Sequence, residues 1–233
     1  MKECEYREIE SYVKAHMQDS AHDIHHVYRV LNAAVDIAGH EDMIEVDMDV
    51  VIAACLLHDI GREKQFADPE LCHALVGGEM AYEFLVSRNW PTAKAMHVKD
   101  CITAHRYRSS APPASIEAKI LFDADKLEVT GAIGIARTLI YEGKVGEPLY
   151  ILGDNNEIIT EGGGADISSF FQEYNFKLKN VYGSFYTNRA KEIAAKRQKA
   201  AMDFYDSLYN EVSEKCETSA QRIFIPTDLC PPP

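Results

Sequence analysis

The sequence predicts an all-α protein, and three observations carry that prediction. Apolar residues recur at three- and four-residue steps through most of the first 145 positions. No segment shows convincing strand alternation. Proline marks the gaps between periodic segments, at Pro91 and at Pro112-Pro113.

Taken in order, Val27, Val30, Leu31, Ala34, Ile37 and Ala38 form one apolar stripe and predict a helix over 27–38, with Asp23 placed to cap it. A second helix is expected from Asp47 or Asp49 to Ile60. It is apolar on nearly every side, as a central element must be, and Gly61 is placed to end it. Further helices are expected at 70–87, 92–106, 115–128 and 131–142. Residues 143–166 carry Gly143, Gly146, Pro148, Gly153, Asn155-Asn156 and Gly162-Gly163-Gly164. That composition predicts an irregular loop, with a short hairpin as an option in LYILGDNNEII and either a lid or a connector as its role. The helical pattern returns near 168 and ends in a charged stretch from Asn188 to about Lys215. The tail 216–233 closes with IPTDLCPPP and is expected to be irregular.

With 233 residues, 46% of them hydrophobic, and no linker, the chain is expected to form a single domain, 1–233. A net charge of −13, from 37 acidic and 24 basic residues, argues against nucleic acid or an anionic membrane as partner, since both would repel it. Six cysteines without a CxxC pair point to reduced thiols. The absence of a signal-like or membrane-length apolar run makes a cytoplasmic location the expectation. The oligomeric state is left open, a homodimer included.

All nine histidines fall between positions 16 and 105. A single histidine on an apolar helix is more often a hydrogen-bonded core residue than a ligand, so each needs support from its neighbours. His58-Asp59, directly after the run VVIAACLL, offers that support: adjacent side chains at a helix end diverge by about 100° and still reach one ion lying against that end. The bland alternative is a solvated Asp59 beside a His58 favoured by the helix dipole. In AHDIHHVYRV, His22, His25 and His26 are candidates. His26 shares a face with Val30 and looks inward, whereas His25 is turned about 100° away towards solvent. Of the carboxylates in DADKL, two residues apart and about 200° divergent, Asp125 shares the inner arc with Leu121 and Leu127-Glu128 better than Asp123 does. Two imidazoles and two carboxylates suit a divalent cation that keeps positions for water and substrate, which is the ligand set of a hydrolase.

The ordered set AHDIHHVYRV, LLHDIGR, ITAHRYR, ILFDADKLEVTGAIGIAR and GEPLY resembles the HD superfamily of metal-dependent phosphohydrolases over residues 22–137, and within it the small bacterial stand-alone HD proteins described as nucleotide pyrophosphohydrolases. The resemblance implies an HD-domain helical bundle whose metal-site core is 22–137, covered by the loop and C-terminal helices of 138–215. It implies His26, His58, Asp59 and Asp125 as metal ligands, with His58 and Asp59 also catalytic. In related phosphodiesterases, histidines placed like His73 and His105 hold a second metal. Here one metal is favoured over two, leaving His73 and His105 to substrate phosphate, a bridging water or support of the ligands. The GYP signature of cyclic-dinucleotide phosphodiesterases is absent after His105, where the chain reads RYRSSAPP.

The cation expected is manganese, with magnesium, iron, cobalt, nickel or zinc as alternatives. Arg29, Arg62, Lys64, Arg106, Arg108 and Lys126 cluster beside the motifs and are the candidates for holding phosphate, with Arg62 preferred as the clamp. The expected reaction is hydrolysis of a nucleoside triphosphate to monophosphate and pyrophosphate by a metal-activated water. Competing readings are a nucleotide phosphomonoesterase or phosphodiesterase using the same site, and a nucleotide-binding regulatory module without turnover. No covalent phosphoenzyme is required, so Asp123 is expected to support the ligands rather than act as a nucleophile.

Overall fold

The computed structural model describes the backbone of residues 1–16, 23–41, 45–106, 112–162 and 169–223, and side chains as far as Glu214. Its elements are helices, and among the described residues no strand forms beyond an isolated bridge between Leu152 and Ile158. That bridge sits where the hairpin was an option, and Ile159 N–H bonds to the Ile151 carbonyl beside it.

Helix α1 spans Glu3–His16 and α2 spans Ile24–Ala38. Asp23 caps α2 as expected, its side chain accepting from His26 N–H at 2.9 Å. Helix α3, Met48–Leu57, is capped by Asp47 and buried all round: Val50, Val51 and Ala53 to Leu57 are fully enclosed. It therefore lies at the centre, packed by α1, α2, α5, α6 and α7.

The sequence places the end of α3 three residues too late. The helix stops at Leu57, and His58 to Gly61 form a tight turn that runs directly into α4, Arg62–Ala67, a short helix with no periodic signal of its own. Gly61 is not the terminator of α3 but the residue before α4, and its role is close approach. A Cβ there would lie 2.2 Å from the His73 carbonyl oxygen and 2.7 Å from the Gly77 nitrogen, both backbone atoms of α5. The missing side chain lets the His58-Asp59 turn press against α5.

Helices α5 (His73–Ser87), α6 (Thr92–His105), α7 (Ile116–Leu127) and α8 (Gly131–Val145) match the expected segments, although α8 runs three residues into the stretch assigned to the loop. Gly146 then ends α8 with φ +79, a left-handed conformation that glycine adopts freely. After it come α9 (Phe170–Glu173), a π-turn over Tyr174–Leu178, a 3₁₀ turn over Val181–Gly183, and α10. Helix α10 spans Asn188–Ile223, so its backbone stays helical for eight residues of the supposedly irregular tail. Residues 216–223 carry no proline, and the prolines that forbid helix lie beyond them.

The main core joins α1, α2, α3, α5, α6 and α7 with Ala190 and Ala194 of α10. A second core of Ile135, Ile158, Phe170, Phe171, Tyr174, Leu178 and Ala201 sits under the C-terminal elements. Asp123 ties α7 to the chain entering α10. Its buried carboxylate accepts from the Tyr186 and Thr187 N–H groups and from the Thr187 hydroxyl at 2.7–3.1 Å, so it anchors the start of α10. No helix among the described residues is long and apolar enough to cross a membrane.

Candidate metal centre

Five helix ends converge on one enclosed point. His26 lies in the first turn of α2, His58 and Asp59 follow α3, His73 begins α5, His105 ends α6, and Asp125 lies in the last turn of α7. The four histidines and Asp59 are each no more than 2% exposed.

The first four expected ligands form one group. His26 Nε2 and His58 Nε2 lie 3.3 Å apart. Asp59 Oδ2 is 3.6 Å from His26 Nε2 and 3.4 Å from His58 Nε2, while Asp125 Oδ1 is 3.6 and 3.9 Å from the same two nitrogens. Atoms about 2.1 Å from a shared cation sit roughly 3–3.5 Å from one another, so the four need contract by only a few tenths of an ångström. The other carboxylate oxygen, Asp59 Oδ1, faces His73 Nε2 at 3.6 Å and His105 Nε2 at 3.7 Å. Asp59 thus stands between two triads of potential ligands: His26, His58 and Asp125 on one side, and Asp59 itself with His73 and His105 on the other.

The chemistry of the donors also fits a cation. Each of the four imidazoles has its Nδ1 committed outside the cluster: His26 to Glu128 Oε2 at 3.2 Å, His58 to the Cys55 carbonyl at 2.8 Å, His73 to Gln65 Oε1 at 2.9 Å, and His105 to the Ile102 carbonyl at 2.5 Å. Carbonyl and carboxylate oxygens only accept, so Nδ1 carries a proton, and a ring held this way in its neutral form points its Nε2 lone pair inward. Asp59 Oδ2 and His73 Nε2 are buried with no hydrogen-bond partner among the described residues. Electron pairs facing one another in a dry cavity are costly unless a cation sits between them.

The electrostatics agree. Burial would raise the Asp59 and Asp125 carboxyls, yet Arg62 and His58 for the first, and Lys126 and the histidines for the second, outweigh it and hold both well below the usual range. Burial, with the Arg62 charge beside it, pushes His73 down to about 2, and burial lowers His105 as well, keeping both rings neutral and able to bind metal. Burial pulls His58 down too, but the neighbouring Asp59 and Asp125 overcome it and raise the ring.

The basic residues are placed unequally. Arg62 Nε donates to Asp59 Oδ1 at 3.0 Å and Lys126 Nζ to Asp125 Oδ2 at 3.0 Å, so each carboxylate holds a cation on the oxygen turned from the first pair of histidines. Arg29 Nε donates to Glu128 Oε2 at 2.8 Å, and Arg106 reaches the Cys72 sulfur at 3.8 Å. Lys64 is exposed on α4, and its ammonium makes no ion pair with a described residue. His25 is exposed, as its spacing predicted. His22 and Arg108 lie outside the described residues.

Asp123 corrects one expectation. It supports no ligand but points to the opposite side of α7, as the 200° divergence from Asp125 requires, and serves α10 instead. Sequence reasoning also missed three residues that matter here: Glu128, Gln65 and Arg137. Arg137 NH1 lies 3.3 Å from the Glu128 carbonyl and 3.8 Å from its Oε2. Glu128 was legible only as a residue on the inner arc of α7, whereas Gln65 and Arg137 reach the site through α4 and α8, whose approach no periodicity reveals.

The HD domain family model matches residues 23–130, the stretch that contains every one of these histidines and aspartates. The chain is also 30% identical over 219 residues to the YpgQ protein of Bacillus subtilis, covering 91% of this chain and 96% of that one. The chain belongs to the HD superfamily. Its fold overlays the crystal structure of B. subtilis YpgQ in complex with ADP with a TM-score of 0.67 at 27% identity, covering 88% of this chain and 97% of that one. It overlays an HD-superfamily hydrolase of Bacillus thuringiensis with a TM-score of 0.66 at 25% identity, covering 91% and 98%. As an HD protein whose solved neighbours include HD-superfamily hydrolases, this chain is an enzyme of the metal-dependent phosphohydrolase type.

Proposed function

We propose that this HD protein hydrolyses nucleoside triphosphates to nucleoside monophosphate and pyrophosphate, using manganese held by His26, His58, Asp59 and Asp125. The observation that carries the reading is the closeness of those donors: the two histidine Nε2 atoms lie 3.3 Å apart and each carboxylate has an oxygen 3.4–3.9 Å from both. A divalent cation held there supplies a water of lowered pKa and draws charge from a phosphoryl oxygen.

The protein's own residues do the rest. Asp59 and Asp125, held ionised by Arg62 and Lys126, keep the cluster anionic at neutral pH. Arg62, Lys126 and Arg29 then place positive charge around it in a chain whose net charge is −13, and a polyanion is recognised through them. Arg62 is about a quarter exposed, which leaves its guanidinium free to meet phosphate while its Nε stays on Asp59. Enclosure of the histidines shields their rings from bulk water. That YpgQ crystallised with ADP supports a nucleotide as the substrate class.

The test is mass-spectrometric analysis of a nucleotide panel incubated with manganese-loaded protein, beside the His58→Ala/Asp59→Ala variant. Pyrophosphate and monophosphate, absent with the variant, are expected. Orthophosphate or an opened diester would replace the pyrophosphohydrolase reading with phosphomonoesterase or phosphodiesterase activity at the same site. A second cation on Asp59, His73 and His105 is the alternative that the unpartnered His73 Nε2 favours. Two manganese ions per chain by elemental analysis, falling to one in His73→Ala, would establish it.

A further inference from the structure

We propose that Glu128 is the positioning residue of the cluster: a single carboxylate that orients His26 and holds Arg29 and Arg137 beside it. The inference rests on the reading of the cluster as a cation site.

Glu128 follows Leu127, the last residue of α7, and is only 4% exposed. Its Oε2 accepts from His26 Nδ1 at 3.2 Å and from Arg29 Nε at 2.8 Å, with Arg137 NH1 at 3.8 Å from the same oxygen. His26 and Arg29 are three residues apart on α2 and so present neighbouring side chains to α7, while Arg137 arrives from α8. One oxygen therefore ties three helices together at the point where the cation ligands meet.

The position is costly for stability alone. A buried carboxylate at the end of α7 meets the negative end of the helix dipole, and two arginines are needed to offset it. The cost is understandable if the charge serves the site. A carboxylate on Nδ1 fixes the tautomer and angle of His26 and makes its Nε2 a better donor. The shared oxygen also sets where the Arg29 guanidinium stands relative to the cation, because its Nε is committed and its terminal nitrogens must project from that anchor. The position of positive charge for the substrate and the pose of a metal ligand then depend on one side chain, which acts through them without touching substrate.

The experiment measures manganese affinity without substrate, from the electron paramagnetic resonance signal of free Mn(II), together with kcat and KM at saturating manganese. The set is wild type, Glu128→Gln, Glu128→Ala, Arg29→Ala and Glu128→Gln/Arg29→Ala. Removing a group that supports a metal ligand costs about 10–100-fold in affinity. Glu128→Gln, which keeps an oxygen but loses the charge, is expected near the lower end of that range and Glu128→Ala near the upper. Arg29→Ala should leave manganese affinity within about twofold and raise KM. The double variant should raise KM by less than the product of the single effects, since both changes disturb the same guanidinium. Wild-type manganese affinity in a folded Glu128→Ala overturns the proposal. If Glu128→Ala does not fold, the isosteric Glu128→Gln decides it, and wild-type affinity there has the same meaning. Failure of the wild-type protein to bind manganese would instead overturn the reading of the cluster, a result these variants cannot imitate.

Discussion

Glu142 of α8 is a buried acid with neither a hydrogen-bond partner nor an ion pair among the described residues. It is 3% exposed and both carboxyl oxygens are unpartnered, with Glu147 and Glu173 nearby and Lys177 opposing them only weakly. Burial, reinforced by those two glutamates, raises its pKa from 4.5 to about 7. The sign follows from proton uptake: between pH 4.5 and 7 the folded chain holds a proton that the unfolded chain has lost, so stability declines as pH rises through that window. The stabilising contribution of the neutral carboxyl is complete below about pH 4.5 and gone above about pH 7. A displacement of this size corresponds to roughly 3 kcal/mol at most, and water reaching the carboxyl brings it to about 1–2 kcal/mol. Glu142→Gln keeps the volume and removes the ionisation. For a chain of this length 1 kcal/mol moves the Tm by about 2–4 °C. Scanning calorimetry should therefore find Glu142→Gln matching wild type at pH 5 and about 2–8 °C more stable at pH 8.5. An equal difference at both pH values would show that the amide acts through packing, and no difference at pH 8.5 would show that the carboxylate finds water or a cation when it ionises. Either result refutes the reasoning.

Three other outcomes follow from the same structure. Asp125→Asn removes a carboxylate shared by His26 and His58, and manganese affinity by isothermal titration should fall by at least about a hundredfold, beyond the range for residues that merely support ligands; unchanged affinity would remove Asp125 from the ligand set. Manganese at about 100 times its Kd should stabilise the protein by roughly 2.7 kcal/mol, raising Tm by about 5–11 °C and reversing on chelation; a Tm indifferent to chelator would refute a bound cation. Gly61→Ala puts a methyl group against the His73 and Gly77 backbone, so a loss of roughly 3 kcal/mol or more and weakened metal binding are expected; a variant with wild-type Tm would show that the His58-Asp59 turn can move away from α5.

The helical class and the position of most helices were legible in the chain, because a buried helix face needs a 3.6-residue period and that period is written there. So were the central place of α3, apolar on nearly every side, and the facing of Asp125 rather than Asp123 towards the histidines, since two carboxylates two residues apart on a helix look in roughly opposite directions. His26 was separable from His25 for the same reason. Each of these rests on local geometry. Tertiary structure alone decided the rest, because it depends on which helix ends meet. The His26 and His73 hydrogen bonds that lead out of the cluster, the stand of Asp59 between two triads, and the convergence of Glu128 with Arg29 and Arg137 join residues 8 to 102 positions apart. No period or spacing encodes such distances along the chain. Asp123 shows the same limit: the face it occupies was legible, but not that α10, some 64 residues later, would arrive there and take its hydrogen bonds.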